Sequence, residues 1–247
     1  MPILITILGI IIGSFLNVCI YRIPRQKSIS YPPSKCSSCG EELKPWDLIP
    51  ILSYIFLRGR CRQCNDKISL QYPIVEVLNG LLYLSIYLKL GLSVLSIMYM
   101  LISSILIVIS FIDYRYQIIP DKILIVGFII VSLTHLLYNF PTSLLNGLLG
   151  LLIGGGLFLL IAIASKGGMG GGDIKLIALL GYIFGLKVFM VMILSFILGA
   201  IISLILLATK IKSRKDAIPF GPFLAIAGLI VMLFSEEILN IYLKIIF

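Results

Sequence analysis

Apolar side chains occur along this chain in long runs, and the polar residues are gathered between them. The first run covers Ile3–Ile20. After a polar stretch, others follow at about 73–90, 94–112, 122–140, 144–164, 174–186, 188–208 and 217–235. A membrane-spanning helix needs ~20 apolar residues and tolerates ~17. The pattern therefore predicts an all-α polytopic membrane protein with about eight transmembrane helices. The 174–186 run is short, ~20 Å of helix against a ~30 Å hydrocarbon core, so seven spans remain the alternative.

Composition agrees. Of 247 residues, 60% are hydrophobic and 13% charged, and the mean hydropathy is +1.11. A soluble protein carries roughly 45–50% apolar and about 25% charged residues, so soluble dehydrogenases, nucleic-acid-binding domains and secreted disulfide scaffolds are excluded. The formal charge of +9 is explained by basic loops retained on one side of a bilayer. No basic face interleaved with aromatics suggests a nucleic-acid partner.

The charges also set a topology. No basic residue precedes the first run, whereas Arg22, Arg25 and Lys27 follow it, the reverse of a cleavable signal peptide. The first run is thus expected to be an uncleaved helix with its N-terminus outside the cytoplasm. With eight spans, 17 basic residues share the side of residues 21–72 and three (Lys89, Lys187, Lys244) face away. With seven, the Lys210–Lys215 cluster moves and the split is 15 to 5. The positive-inside rule favours eight and makes 21–72 cytoplasmic either way.

Residues 21–72 alone have soluble-domain composition, with nine basic residues, several prolines and four cysteines. About fifty residues cannot build a self-sufficient core, so a metal or cross-links are expected to hold them. Cys36-Ser-Ser-Cys39 and Cys61-Arg-Gln-Cys64, separated by 21 residues, match a tetrathiolate zinc site of zinc-ribbon type. Disulfides do not suit the reducing side of the membrane, and the βαβ context of a redox CxxC pair is absent. Four thiolates close the coordination shell, so zinc would be structural. The expected division is 1–20, a first transmembrane helix; 21–72, a cytoplasmic four-cysteine zinc-binding domain; and 73–247, a transmembrane helical domain. No soluble repeat stands out. Gly147, Gly150, Gly154, Gly155 and Gly156 fall in one apolar run at small-residue spacing, which points to close helix packing.

Acids beside or within apolar runs are costly and need explaining. Asp121 after Pro120 suits an N-cap. Glu76, one turn into its run, invites pairing with a basic loop residue. Asp113 ends the third span. Asp173 begins the sixth, directly after the glycine-rich 167–172. Two spans separate them, so both lie at the same membrane face. Two unrelated helix-end acids would account for them; so would a pair that meets. Meeting carboxylates share a proton and can act as general base and acid on a water and a carbonyl, as in aspartic proteases. Phosphate cradling by the glycines is disfavoured because no GK[ST] follows. The lone histidine, His135, is expected to be packing.

These residues together resemble a type IV prepilin peptidase, a GxGD-type intramembrane aspartic protease. The resemblance is carried by 13–24 (GSFLNVCIYRIP), the two CxxC pairs, Tyr72–Glu76, Asp113 through Asp121, Gly170-Gly-Gly-Asp173-Ile-Lys-Leu and 218–225 (IPFGPFLA). It implies that Asp113 and Asp173 are the catalytic pair, with Gly170, Gly172 and Lys175 in the supporting loop and 73–247 as the peptidase domain. It implies a prepilin or pseudopilin substrate whose basic leader is cut at the cytoplasmic face of a bacterial cytoplasmic membrane. Pilus or type II secretion assembly proteins and membrane lipid are the further implied partners. The family commonly also N-methylates the new N-terminus with S-adenosylmethionine as cosubstrate, and Glu76 is a candidate for that step or for substrate docking. Lys175 is expected to anchor at the interface or to bias the acidic pair. A transporter would instead want mid-membrane acids and broken helices, and a non-enzymatic zinc scaffold would have no use for the aspartates.

Overall fold

Each apolar run forms a helix whose ends fall close to where the polar residues begin. The computed structural model describes residues 1–138, 142–213 and 216–246. The end of the 122–140 run, and Arg214 and Lys215 of the basic cluster, lie outside these. The helices are α1 (Pro2–Arg22), α2 (Leu52–Phe56), α3 (Gln71–Leu90), α4 (Val94–Tyr116), α5 (Asp121–Leu137), α6 (Leu144–Ala164), α7 (Gly171–Phe184), α8 (Val188–Ala208) and α9 (Gly221–Ile246). Among the described residues there is no strand; two isolated bridges occur in the cysteine segment.

Among the described residues, six windows are long and apolar enough to cross a membrane. They hold seven of the eight long helices, because Gly171–Ala208 contains both α7 and α8. As one helix that stretch would be ~57 Å long, about twice the hydrocarbon thickness. Gly185, at φ +59°, ends α7 and starts the short 3₁₀ turn Gly185–Lys187. The eighth long helix, α5, has 17 residues, the lower limit for a span. Large apolar side chains such as Leu145, Leu152, Ile163 and Leu204 stay exposed on the helices, as a lipid-facing surface requires.

The chain divides into two units, Met1–Ser96 and Ile97–Phe247. In the first, α1 packs along α3. Gly9 and Gly13, a small-xxx-small pair, let the backbones meet: a Cβ on Gly13 would stand 2.7 Å from Glu76 Cα. Polar side chains seal the contact. Asn79 Nδ2 donates to Gly9 O at 2.7 Å and Asn17 Nδ2 to Tyr72 O at 3.1 Å.

In the second unit, α7 is enclosed by α5, α6, α8 and α9. Leu176, Ile177, Leu179 and Leu180 are all fully buried, as befits a helix apolar on every side. Protein and not lipid surrounds it, so its 14 residues need not match the bilayer. The glycine face of α6 makes this possible. A Cβ on Gly150 would fall on the carbonyl oxygen of Gly181 and within 2.5 Å of that of Gly185. Gly156, by contrast, faces open space.

Gly150→Ala is therefore expected to overpack the α6–α7 contact and to destabilise the fold by ~1–3 kcal/mol. Gly156→Ala is expected to be neutral. Thermal unfolding midpoints of the two variants in detergent test the difference.

Candidate functional site

The cysteine segment folds as two copies of one knuckle. In the first, Cys36 N donates to Glu41 O and Gly40 N to Cys36 O; in the second, Cys61 N donates to Asp66 O and Asn65 N to Cys61 O. The residue after each second cysteine, Gly40 or Asn65, has positive φ, +74° and +56°. The bridges Lys35↔Glu42 and Arg60↔Lys67 close both turns. Residues 35–42 thus repeat at 60–67. The repeat is one of backbone more than of side chains, since the shared side-chain features are a leading basic residue, the two cysteines and an acid at Glu41 and Asp66.

The four sulfurs lie within 4.8 Å of one another, and Cys36 Sγ is 3.9 Å from Cys64 Sγ. A tetrahedral ion ~2.3 Å from each sulfur calls for ~3.8 Å between sulfurs, so the cluster fits a metal ion. Amides of Cys39 and Ser38 lower the Cys36 thiol to about 7. Cys64 is pushed up to about 12, against the pull of the Asp66 amide, by desolvation and by its three neighbouring sulfurs. Four thiolates this close need a cation between them. Further ties fix the fold of the segment: Arg62 pairs with Asp47 at 2.7 Å, and the Ser38 hydroxyl donates to Asp66. That bond is the main cause holding the Asp66 carboxyl below its usual range.

Glu76 does not pair with a basic residue among the described residues. It is buried on α3, where Oε2 accepts the Ile51 amide at 2.7 Å and the Ser14 hydroxyl bonds the same carboxylate. Ile51 holds positive φ, +62°, just before α2, so Glu76 pins the entry to α2 against the span.

In the second unit, Asp113 lies in the last turn of α4, buried at 6% exposure, and Gln117 at φ +54° ends that helix. Negative charge is disfavoured at a helix C-terminus and favoured at an N-terminus. The start of α9 supplies the compensation: Gly221 N donates to Asp113 Oδ2 at 2.9 Å. Gln117 Nε2 donates to Ala217 O at 3.3 Å, tying the two segments again. No side chain fits at Gly221, because a Cβ would stand 2.7 Å from the same carboxylate oxygen. Phe220, one residue earlier, stacks in a cluster with Phe158, Phe196 and Phe223 at centroid distances of 5.5–6.1 Å.

Asp173 sits in the first turn of α7, half-buried, and the Gly170 amide bonds its carboxylate. Gly172 is where the α4–α5 linker crosses, since a Cβ there would meet Ile119 at 2.8 Å. The two spans between Asp113 and Asp173 return the chain to the same end, and the two carboxylates are close enough to interact electrostatically. Lys175 Nζ is held by Asp121 at 2.7 and 2.9 Å. Asp121 is not an N-cap: Pro120 holds that position and Asp121 is the first residue of α5, so its carboxylate is available to Lys175. His135 packs on the Tyr182 ring at 5.2 Å. The stretch 218–225 was marked by the resemblance, but the donor role of Gly221 was not legible, because a backbone amide leaves no mark in side-chain chemistry.

Residues 7–90 match the model for the bacterial peptidase A24 N-terminal domain, and 100–204 match that for the type IV leader peptidase family. The chain is 35% identical to the prepilin leader peptidase/N-methyltransferase of Pseudomonas putida over 95% of its own length and 91% of that protein. It is 33% identical to the protein of the same name from Bacillus subtilis, with 96% of each covered. The chain belongs to the type IV leader peptidase family. The Legionella pneumophila relative with that name is 35% identical over 98% of this chain and 94% of its own. No solved structure matches significantly. Asp113 and Asp173 both fall within the part matched to the type IV leader peptidase family, and the cysteine cluster within the N-terminal match.

The purified protein is expected to carry one equivalent of a thiophilic metal per chain, measured by elemental analysis. Cys36→Ser combined with Cys61→Ser should release it and open the Arg58–Arg62 stretch to trypsin, while leaving the thermal transition of the helical unit in place.

Proposed function

We propose that this chain is an intramembrane aspartic endopeptidase that removes the basic leader of type IV prepilins or pseudopilins at the cytoplasmic membrane face. The new N-terminal residue is then N-methylated. The observation that carries this reading is that Asp113 lies close enough to act electrostatically on Asp173, each carboxylate steadied by a glycine amide. One carboxylate, ionised, takes a proton from water as the oxygen attacks the scissile carbonyl, while the other, protonated, gives its proton to the carbonyl oxygen. On collapse the first carboxyl protonates the departing amine, a hydroxyl of the diol returns a proton to the second, and the C–N bond breaks. Both groups end as they began.

The topology supports the placement. A basic leader stays in water while the apolar pilin helix remains in the bilayer, which brings the scissile bond to the interface. Here 17 of 20 basic residues fall on one side under eight spans, the cytoplasmic side by the positive-inside rule. Gly170 and Gly172 shape the loop before Asp173, and Lys175 ties α7 to α5 through Asp121. S-adenosylmethionine, when bound, supplies a methyl group on a sulfonium centre for the new α-amine. Glu76 stays a candidate for that step or for substrate docking, and its buried carboxylate, accepting the Ile51 amide, also holds the cysteine segment to α3. For the metal we propose zinc, held by Cys36, Cys39, Cys61 and Cys64 in a closed shell that stabilises and does not react. Pilus or type II secretion assembly proteins are the partners such an activity implies.

Asp113→Asn and Asp173→Asn are each expected to lower leader cleavage by about 10²–10⁴-fold with the unfolding midpoint maintained. Methyl transfer to an already cleaved pilin should persist. Retained cleavage in either folded variant would remove the pair from the mechanism. Gly221→Ala should reduce kcat for cleavage at least about tenfold with KM little changed, because it displaces a carboxylate and not the substrate.

A further inference from the structure

The segment between α1 and α3 carries a feature that neither the metal nor the acidic pair uses. Trp46, Leu48, Ile49, Leu52, Ile55 and Phe56 are all exposed, Phe56 at 81%, in the one part of the chain with soluble-domain composition. Beside them α2 ends in two successive left-handed residues, Arg58 at φ +50° and Gly59 at φ +67°. Gly59 N donates to Tyr54 O at 2.8 Å, and Ile68 N to Gly59 O at 2.8 Å. The turn frames a cleft of about 480 Å³ lined by Tyr54, Arg58, Arg60, Lys67, Ser69 and Leu70 among others.

Charge and position identify what the cleft would hold. Arg62 is taken by Asp47, but neither Arg58 nor Lys67 forms an ion pair among the described residues. Arg60 donates to Asn65 O at 3.2 Å. Asp66, which feels the charges of Arg60 and Lys67, is engaged by the Ser38 hydroxyl and by the Lys67 amide. Three cations therefore border a cleft with no acidic side chain in its lining. Leu70 is the last lining residue, and α3, a membrane span, begins at the next one. The segment is tethered to a span at each end, which keeps it at the bilayer boundary. Exposed apolar side chains with a tryptophan and flanking cations suit that layer.

We propose that this cleft binds the phosphate headgroup of an anionic phospholipid, with the Trp46–Phe56 ridge seated among the adjoining acyl chains. The cysteine segment is then moored to the membrane surface by its own chemistry, in addition to its two covalent links.

Trp46 is the sole tryptophan of the chain and reports directly on this. Full-length protein in nanodiscs is titrated with phosphatidylglycerol or phosphatidylcholine bearing brominated acyl chains, and Trp46 quenching is read. A basic side chain near an anionic surface is worth about fivefold in partition, so three favour phosphatidylglycerol by roughly a hundredfold. Arg58→Gln with Lys67→Gln should lower that preference by about thirtyfold. This variant spares Arg60, whose contact with Asn65 supports a knuckle, and metal content checks its fold. Phe56→Ser, with every cation intact, should weaken quenching by both lipids and leave the preference. Equal quenching by the two lipids, an unquenched Trp46, or a preference untouched by the charge variant in metal-replete protein would each overturn the proposal. Displacement of the lipid by millimolar glycerol phosphate would do so too, since the free anion would then be the ligand.

Discussion

Asp113 occupies a position that its own helix opposes. A carboxylate at the end of α4 meets the negative pole of that helix, in a part of the protein where water offers little relief. The hydrogen bond from Gly221 N at 2.9 Å brings the positive pole of α9 against the same oxygen. The requirement propagates outward. The amide can reach the carboxylate only if residue 221 has no side chain, and only if the preceding segment is held rigidly. The Phe158–Phe196–Phe220–Phe223 cluster provides that hold by locking the entry to α9 against α6 and α8. A polar contact is thus positioned by packing, the usual division of labour where charges sit in an apolar medium.

The second acid is placed by a different device. Asp173 stands at the favourable end of its helix, and the depth of that end depends on α7 being enclosed on all sides. The backbone contact of Gly150 with Gly181 sets how closely α6 and α7 approach, and so how far the first turn of α7 reaches. Association of helices in lipid draws on packing, because lipid tails are as apolar as the side chains. A close glycine contact is therefore the stronger constraint on Asp173, and the Lys175–Asp121 pair, more than half exposed on both sides, the weaker one. Exposed pairs of that kind contribute about 0–1 kcal/mol.

Much of this was legible in the sequence. Run length and apolarity placed the long helices within about five residues at each end, because in a bilayer the backbone must satisfy itself and leaves few alternatives. The exception is α9, which continues to Ile246, past the 217–235 run, and short α2 in the cysteine segment left no run to find. The cysteine spacing announced the cluster, and the acids at the ends of the third and sixth spans announced the pair. What stayed hidden were contacts made by backbone. Gly221 donating to Asp113 and Ile51 donating to Glu76 involve an amide that every non-proline residue owns. Asp121 looked like a cap because local spacing is visible, whereas its partner Lys175 is 54 positions away. Gly9 went unmarked beside the denser glycine face of α6, and Gly13 was marked only within the 13–24 stretch, although both govern the α1–α3 contact just as directly.

The two knuckles show why the cysteine segment needs more than one kind of restraint. Its helix α2 has only five residues, too few to be stable alone, and the paired turns at 35–42 and 60–67 add no strand of their own. A metal bound by the four cysteines would hold the two turns to each other but would not orient them relative to the spans. That orientation falls to the junctions, where Glu76 accepts the Ile51 amide and Gln71 Nε2 reaches Asn17 Oδ1 at 3.2 Å. These bonds join the segment to α3, and α3 to α1, so a loss at Glu76 would loosen the segment without disturbing the metal. Position and internal stability of the segment thus rest on different contacts, and the buried Glu76 carboxylate inside a span contributes to the first of them.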